Sequence, residues 1–221
     1  MTTSTLTLLD RAANFLESIQ QRLNIEFDQH QQIFKNIKQD TGAIATLKRA
    51  LTGDPKHLRD TYSIVLEYLY QVGIPYNPDN EYDKGQFWLL VACLFAHYPQ
   101  PINRERKRNF GHSCWLLQQE IRRSSPNAKG VERRFHALLD TSLKDLRSPL
   151  LALAQQIKSK DTEIKTANKL VSTINYAQLI TDLHTWDHSK QFVQDNWARA
   201  FWGAPPKPPE ESEALAEDQS E

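Results

Sequence analysis

His184 and His188, in the run His184-Thr-Trp-Asp-His188, are the pair whose spacing most invites a metal ion. Two histidines four apart on a helix end share a face and bind zinc or nickel when a third ligand converges. No second cluster supplies that ligand at a recognisable spacing, and surface pairs of this kind arise easily by chance. The chain holds no P-loop, no glycine-rich dinucleotide turn, no His-Glu-x-x-His and no Gly-x-Ser-x-Gly. A His-Asp dipeptide of the kind used in phosphodiester hydrolysis is also missing. The residues therefore nominate no catalytic group, no metal and no cofactor, and a protein other than an enzyme is expected.

The positive signal is cationic. Lys48-Arg49 follows Leu47, and Arg133-Arg134 precedes Phe135. Arg104, Arg106, Lys107 and Arg108 share a loop, while Lys144 and Arg147 lie one helical turn apart. Nucleic-acid phosphates are held by cations of this kind, fixed on rigid elements and reaching solvent. Any single pair is more often a solubilising surface feature, so the reading rests on several pairs in both halves of the chain.

Charge distribution sharpens that reading. The formal net charge is zero over 221 residues, yet residues 204–221 carry −5 and Arg104–Arg134 carries +6. A basic middle and an acidic end suit contact with nucleic acid. With 39% hydrophobic and 24% charged residues, the chain has the composition of a soluble globular protein. The N-terminal MTTSTLTLLDRAANF lacks a basic leader, and the longest apolar run, Phe87–Ala96, is too short for a bilayer. Cys93 lies inside that run, which argues for a reducing compartment and a cytoplasmic location, with no membrane partner.

The elements that would position these cations read as helices. Leu8, Ala12, Phe15, Ile19 and Leu23 predict a first helix over residues 6–23. A weaker helical pattern (Phe27, His30, Phe34, Ile37) ends near Asp40. Asp40 or Thr41 caps a helix with Ile44, Leu47 and Leu51 inward. Gly53-Asp54-Pro55 reads as stop, N-cap and first-turn proline for one helix running to Gly73. Phe87–Ala96, rich in Leu and Ala, is a central helix. Cys114, Leu117 and Ile121 mark another, as do Val131, Phe135, Leu138 and Leu139. Before the run to Ile157, Ser148 and Pro149 read as N-cap and N1, and residues 159–173 as a polar connection. No segment alternates with period two.

Ile174–Gly203, INYAQLITDLHTWDHSKQFVQDNWARAFWG, closes the chain as a helical hairpin with Ser189 as second N-cap and Gly203 as stop. Its tryptophans Trp186 and Trp197 lie on apolar stripes and read as packing residues. The expected fold is all-α: two small helical bundles, residues 1–100 and 101–203, followed by a disordered acidic tail, residues 204–221.

The hairpin resembles the C-terminal signature of the CasB family. The shared positions are Asn175, Tyr176, Leu179, Asp182-Leu183, Trp186, Trp197-Ala198-Arg199 and Phe201-Trp202. GAIATLKRAL (residues 42–51), FWLLVACLFAHYP, NFGHS and GVERRFHALLD resemble further family stretches in the same order. The resemblance implies an all-helical, non-catalytic small subunit of the type I-E CRISPR complex Cascade. In that setting two copies line a ribonucleoprotein and stabilise the R-loop. The implied partners are the CRISPR RNA–target DNA heteroduplex, the displaced DNA strand, the Cascade backbone and large subunits, and a second copy of the chain.

Lys48, Arg49, Arg133 and Arg134 match basic positions of the family and lead the candidates for phosphate contact. Lys84, Arg108, Lys144, Arg147 and Lys190 come second, on charge. Residues 24–40 and the acidic tail depart from the family pattern. Two other readings remain: a helical adaptor that binds protein without touching nucleic acid, and a metal-dependent hydrolase built on His184 and His188.

Overall fold

A computed structural model describes residues 6–28, 33–35, 39–80, 83–106 and 108–203. Among them are eleven α-helices and one small two-stranded hairpin, so the fold is all-α. The helices are α1 (Leu8–Arg22), α2 (Thr41–Ala50), α3 (Pro55–Asp60), α4 (Tyr62–Gln71), α5 (Gly85–His97) and α6 (Phe110–Ser124). They continue with α7 (Gly130–Leu139), α8 (Arg147–Ser159), α9 (Asp161–Asn168), α10 (Tyr176–His184) and α11 (Phe192–Trp202). The expected disordered tail lies outside the described residues. No described helix is long and apolar enough to cross a membrane.

The fold is assembled around α5. Eleven of its 13 residues are buried, which requires neighbours on every side rather than on one stripe. Those neighbours are α1, α2, α4, α8 and α10. α1 also packs along α10, and a single apolar cluster runs from Leu9 to Phe201. The core therefore continues across the Pro99–Pro101 turn, where the sequence suggests a boundary.

Local chemistry sets most helix ends. Thr7 and Asp10 form a reciprocal capping box on α1. Asp40 caps α2, and Asp54 caps α3 with Pro55 at N1, as the sequence predicts. Gly53 takes φ 81° and Gly203 φ 78°, left-handed conformations that glycine adopts without a Cβ penalty.

Several expectations are corrected. Phe27 and Phe34 do not belong to a helix; they are register partners in an antiparallel pair, Glu26–Asp28 with Ile33–Lys35. Strands of three residues are too short to print a period, and Asn24 at φ 50° turns the chain out of α1 before them. His30 and Ile37 lie outside the described residues. The helix expected from Pro55 to a stop at Gly73 breaks at Thr61, whose buried hydroxyl donates to Leu58 O at 2.6 Å.

α8 begins at Arg147 rather than after Ser148. Pro149 then sits in the first turn, where a missing N–H costs no helical bond. The supposed connection at 159–173 contains α9, anchored by buried Ile164 and by a Lys165–Asp161 pair at 2.8 Å. One apolar anchor is too few to show periodicity. Ser189 does not cap α11; Gln191, at φ 50°, occupies that position.

α6 and α11 meet at a glycine. A Cβ on Gly111 would stand 2.1 Å from the Trp197 carbonyl oxygen, so this approach admits no side chain. The Phe110 ring lies 5.3 Å from that of Trp197, and Trp186 lies 4.9 Å from Trp197 on another side. Trp197 is fully buried, and its indole Nε1–H donates to Asp182 Oδ2 at 2.6 Å. Gln178 Nε2 donates to the other carboxylate oxygen at 2.7 Å. Burial raises the Asp182 carboxyl to about 6 against the pull of these two donors and of Arg106.

Gly111→Ala should destabilise the protein by about 3 kcal/mol in chemical denaturation, because backbone blocks the new methyl. Gly130→Ala, whose nearest obstacle is the Arg134 guanidinium at 3.8 Å, should be close to neutral. Equal losses would contradict the close approach.

The same junction sets a pH dependence. A carboxyl with a raised folded pKa is easier to ionise in the unfolded chain, so stability falls as pH rises from about 4 to about 6. Asp182→Asn removes that titration, and a turned Gln178 amide gives its unpartnered Oε1 a donor from Asn. Wild type should lose roughly 3 kcal/mol relative to the variant across that window. Parallel stability–pH curves would contradict a buried, desolvated carboxylate.

Candidate nucleic-acid interface

The hairpin residues that suggest the family serve the core. Asn175 caps α10 through Gln178 N at 3.1 Å and donates its amide to Glu105 O at 2.8 Å. Tyr176 buries its ring 5.8 Å from that of Phe95 and donates its hydroxyl to Tyr98 O at 2.9 Å, beyond the end of α5. Trp186 donates to Thr141 O at 3.1 Å, which ties α10 to the end of α7. Trp202 differs: it is 48% exposed, and its Nε1 lies 3.4 Å from Glu132 Oε1.

The nine candidate cations divide into two kinds. Lys84 is paired to Asp187 at 2.5 Å and ties the start of α5 to the turn after α10. Arg108 is half-buried and donates to Ser172 O at 3.3 Å. Arg147 donates to Ala50 O at 3.2 Å, closing the C-terminal end of α2. Burial pulls its guanidinium below the ordinary arginine range. These three cations are engaged inside the protein.

The other six are exposed. Lys48, Arg133, Arg134, Lys144 and Lys190 have no ion-pair partner among the described residues, and Arg49 touches only Thr46 Oγ1 at 3.3 Å. Arginines elsewhere contrast with them. Arg122 is held by Glu132 at 3.3 Å, Arg123 by Glu120 at 2.5 Å and Arg104 by Glu17 at 2.7 Å. α7 therefore presents Arg133 and Arg134 uncompensated, beside α6 arginines that are neutralised. Lys107 lies outside the described residues.

The structure adds two residues that sequence reasoning missed. Lys158, in the last turn of α8, donates to His97 O at 2.9 Å at the end of α5. Lys48 lies close enough to lower the proton affinity of both Lys158 and His97, after burial as the larger cause. His97 and Lys158 thus meet where α5 and α8 end, with Lys48 near enough to repel both and only positive neighbours acting on them. The sequence held a usable signal, since each helix carries a basic residue in its last turn. Carbonyls at helix C-termini favour such cations, so the cluster forms without a carboxylate. Basic groups left in this state can take phosphate oxygens as counter-charges.

His184 and His188 do not build a metal centre with other residues of this region. Among the described residues no group of three or more His, Cys, Asp or Glu is placed to hold an ion. His188 Nδ1 accepts from Lys190 N at 3.2 Å, and its ring packs 4.9 Å from Phe192. His184 is half-buried, and desolvation together with Lys84 lowers its proton affinity. Cys93 and Cys114 are buried free thiols, raised by desolvation and shielded from reaction.

Residues 43–202 match the family model for CRISPR-associated protein Cse2. The crystal structure of CasB from M. ruber is similar, with a TM-score of 0.61, 22% identity, and 89% of this chain and 94% of that one covered. A Cse2-family protein from Thermus thermophilus gives 0.60, 21%, 90% and 100%. A chain of a CRISPR RNA-guided surveillance complex gives 0.58, 20%, 90% and 95%. At these identities the structural likeness speaks for the fold. A search of curated proteins finds no match. The family match takes in the α2 stretch, the apolar α5, the Gly111 approach, the α7 arginines and the closing hairpin, and the chain belongs to the CRISPR-associated Cse2 (CasB) family.

Proposed function

We propose that this chain is the small subunit of a type I-E Cascade complex and holds nucleic-acid backbone during R-loop formation. It performs no bond chemistry in this role. One observation carries the reading: exposed cations on α2 and α7 stand without carboxylate partners, while neighbouring arginines are paired. The family match and a neighbour described as a CRISPR RNA-guided surveillance complex support the assignment.

Guide pairing reads the target sequence, and exchanging a DNA duplex for an RNA–DNA heteroduplex is nearly balanced in free energy. Cations on a rigid frame tip that balance without reading bases. Lys48, Arg49, Arg133 and Arg134 are the leading contacts. Lys158 and His97 extend the α2 cluster, and Lys144 and Lys190 add exposed charge. Lys84, Arg108 and Arg147 act indirectly, by holding the elements in place. A second copy of the chain alongside the first would lengthen the cationic track.

The test uses the assembled complex carrying Lys48→Glu, Arg49→Glu, Arg133→Glu and Arg134→Glu. Target affinity should fall at least about tenfold, and the slope of log affinity against log salt should flatten by roughly 0.7–0.9 for each phosphate no longer neutralised. Thermal melting of the subunit should fall by no more than several degrees, the cost of two acids in the last turn of α2, since these side chains are exposed and fill no core. Unchanged affinity and slope would sink the reading and favour a protein-binding adaptor.

A further inference from the structure

The chain leaves its core beside a helix with two uncompensated arginines. Trp202, the last residue of α11, lies against α7: its ring is 5.8 Å from Phe135 and 6.0 Å from His136. Gly203 comes next at φ 78°, and a Cβ there would meet nothing within 4 Å. Arg133 and Arg134 are exposed on that same α7, and Lys129 precedes its first residue. None of the three has an ion-pair partner among the described residues.

The segment beyond Gly203 is acidic. Residues 204–221 hold Glu210, Glu211, Glu213, Glu217, Asp218 and Glu221 against Lys207 alone. Glu210 lies seven positions after Gly203, and a chain of that length spans at most about 25 Å. α7 is itself about 15 Å long at the helical rise. The first acids can therefore reach every cation on α7, and tethering holds them at millimolar effective concentration, on the order of that for short linkers.

We propose that the acidic tail docks on the Arg133–Arg134 face of α7 and competes there with nucleic-acid phosphates. This inference rests on the reading of α7 as a phosphate-binding face. The contact is made of exposed ion pairs, which are individually weak and screened by salt within about 8 Å at physiological ionic strength. It acts as a threshold. Scattered phosphates from a chance encounter do not displace the tail, while a strand held in place by the assembled complex does.

The test uses the full-length chain with all six tail acids changed to amides (Glu210→Gln, Glu211→Gln, Glu213→Gln, Glu217→Gln, Asp218→Asn, Glu221→Gln). Backbone amide signals of Arg133, Arg134 and His136 are compared by NMR at low and high salt. Binding of an oligo-dT strand is measured on the same samples. The proposal expects those amides to differ between wild type and variant at low salt and to converge at high salt. It expects the variant to bind the strand about five- to tenfold more tightly at low salt. Adding Arg133→Gln and Arg134→Gln should abolish both differences.

Amides that do not move, with oligo-dT bound equally by both proteins, would overturn the tail contact and leave the phosphate-binding reading standing. Amides that move while affinity stays equal would overturn the competition. Amides that move with no oligo-dT binding by either protein would support the tail contact and remove the nucleic-acid reading on which its role rests.

Discussion

Trp197 is the residue on which the rest of the C-terminal packing depends. Its indole N–H is committed to Asp182, its ring is held between Trp186 and Phe110, and its backbone comes within reach of Gly111. Together these contacts join α11 to α10, to the turn after it and to α6. A buried carboxylate is unfavourable unless donors meet it, and here two donors from α10 and α11 do so. Three of the stretches that carry the resemblance thus meet at one junction. Asp-Leu supplies the acceptor, Trp-Ala-Arg the donor, and Asn-Phe-Gly the gap.

The cations build on this frame. Helices α5 and α8 end together, where Lys158 donates to the His97 carbonyl, and Lys48 in the last turn of α2 repels both side chains. No carboxylate is recruited to the cluster, so mutual repulsion adds to burial in lowering the proton affinity of Lys158 and His97. Arg147 shows the opposite outcome: the start of α8 buries it against the end of α2, where it satisfies a backbone carbonyl. A basic residue picked out by charge alone can therefore be a support of the fold or a free cation. Partners within the fold separate the two.

Much of the helical plan was legible because its signals are local. Asp54-Pro55, Gly53 and Gly203 act within one turn, and the apolar run of α5 is long enough to declare itself. The β-hairpin at Phe27 and Phe34 was not legible, since three-residue strands leave no period and their pairing is non-local. α9 was hidden because only Ile164 anchors it. Among the candidate contacts, Lys48 and the α7 arginines were found by charge. Lys158 and His97 were missed because their significance lies in two helix ends meeting beside a lysine of a third helix, which no spacing along the chain records. Lys84, Arg108 and Arg147 looked identical to free cations until Asp187, Ser172 O and Ala50 O came into view.

The cations gathered by this frame are proposed to face nucleic-acid phosphates, and His97 reports on that from inside the cluster. Its imidazole is held below its ordinary pKa of 6.5 by burial, Lys158 and Lys48. A phosphate seated between the lysines would cancel their repulsion. Proton NMR titration of His97, alone and with saturating single-stranded DNA at low salt, measures this directly. The expected result is a low value in the free protein that rises when the strand binds. A value that stays the same while DNA is bound would contradict phosphate contact at this cluster.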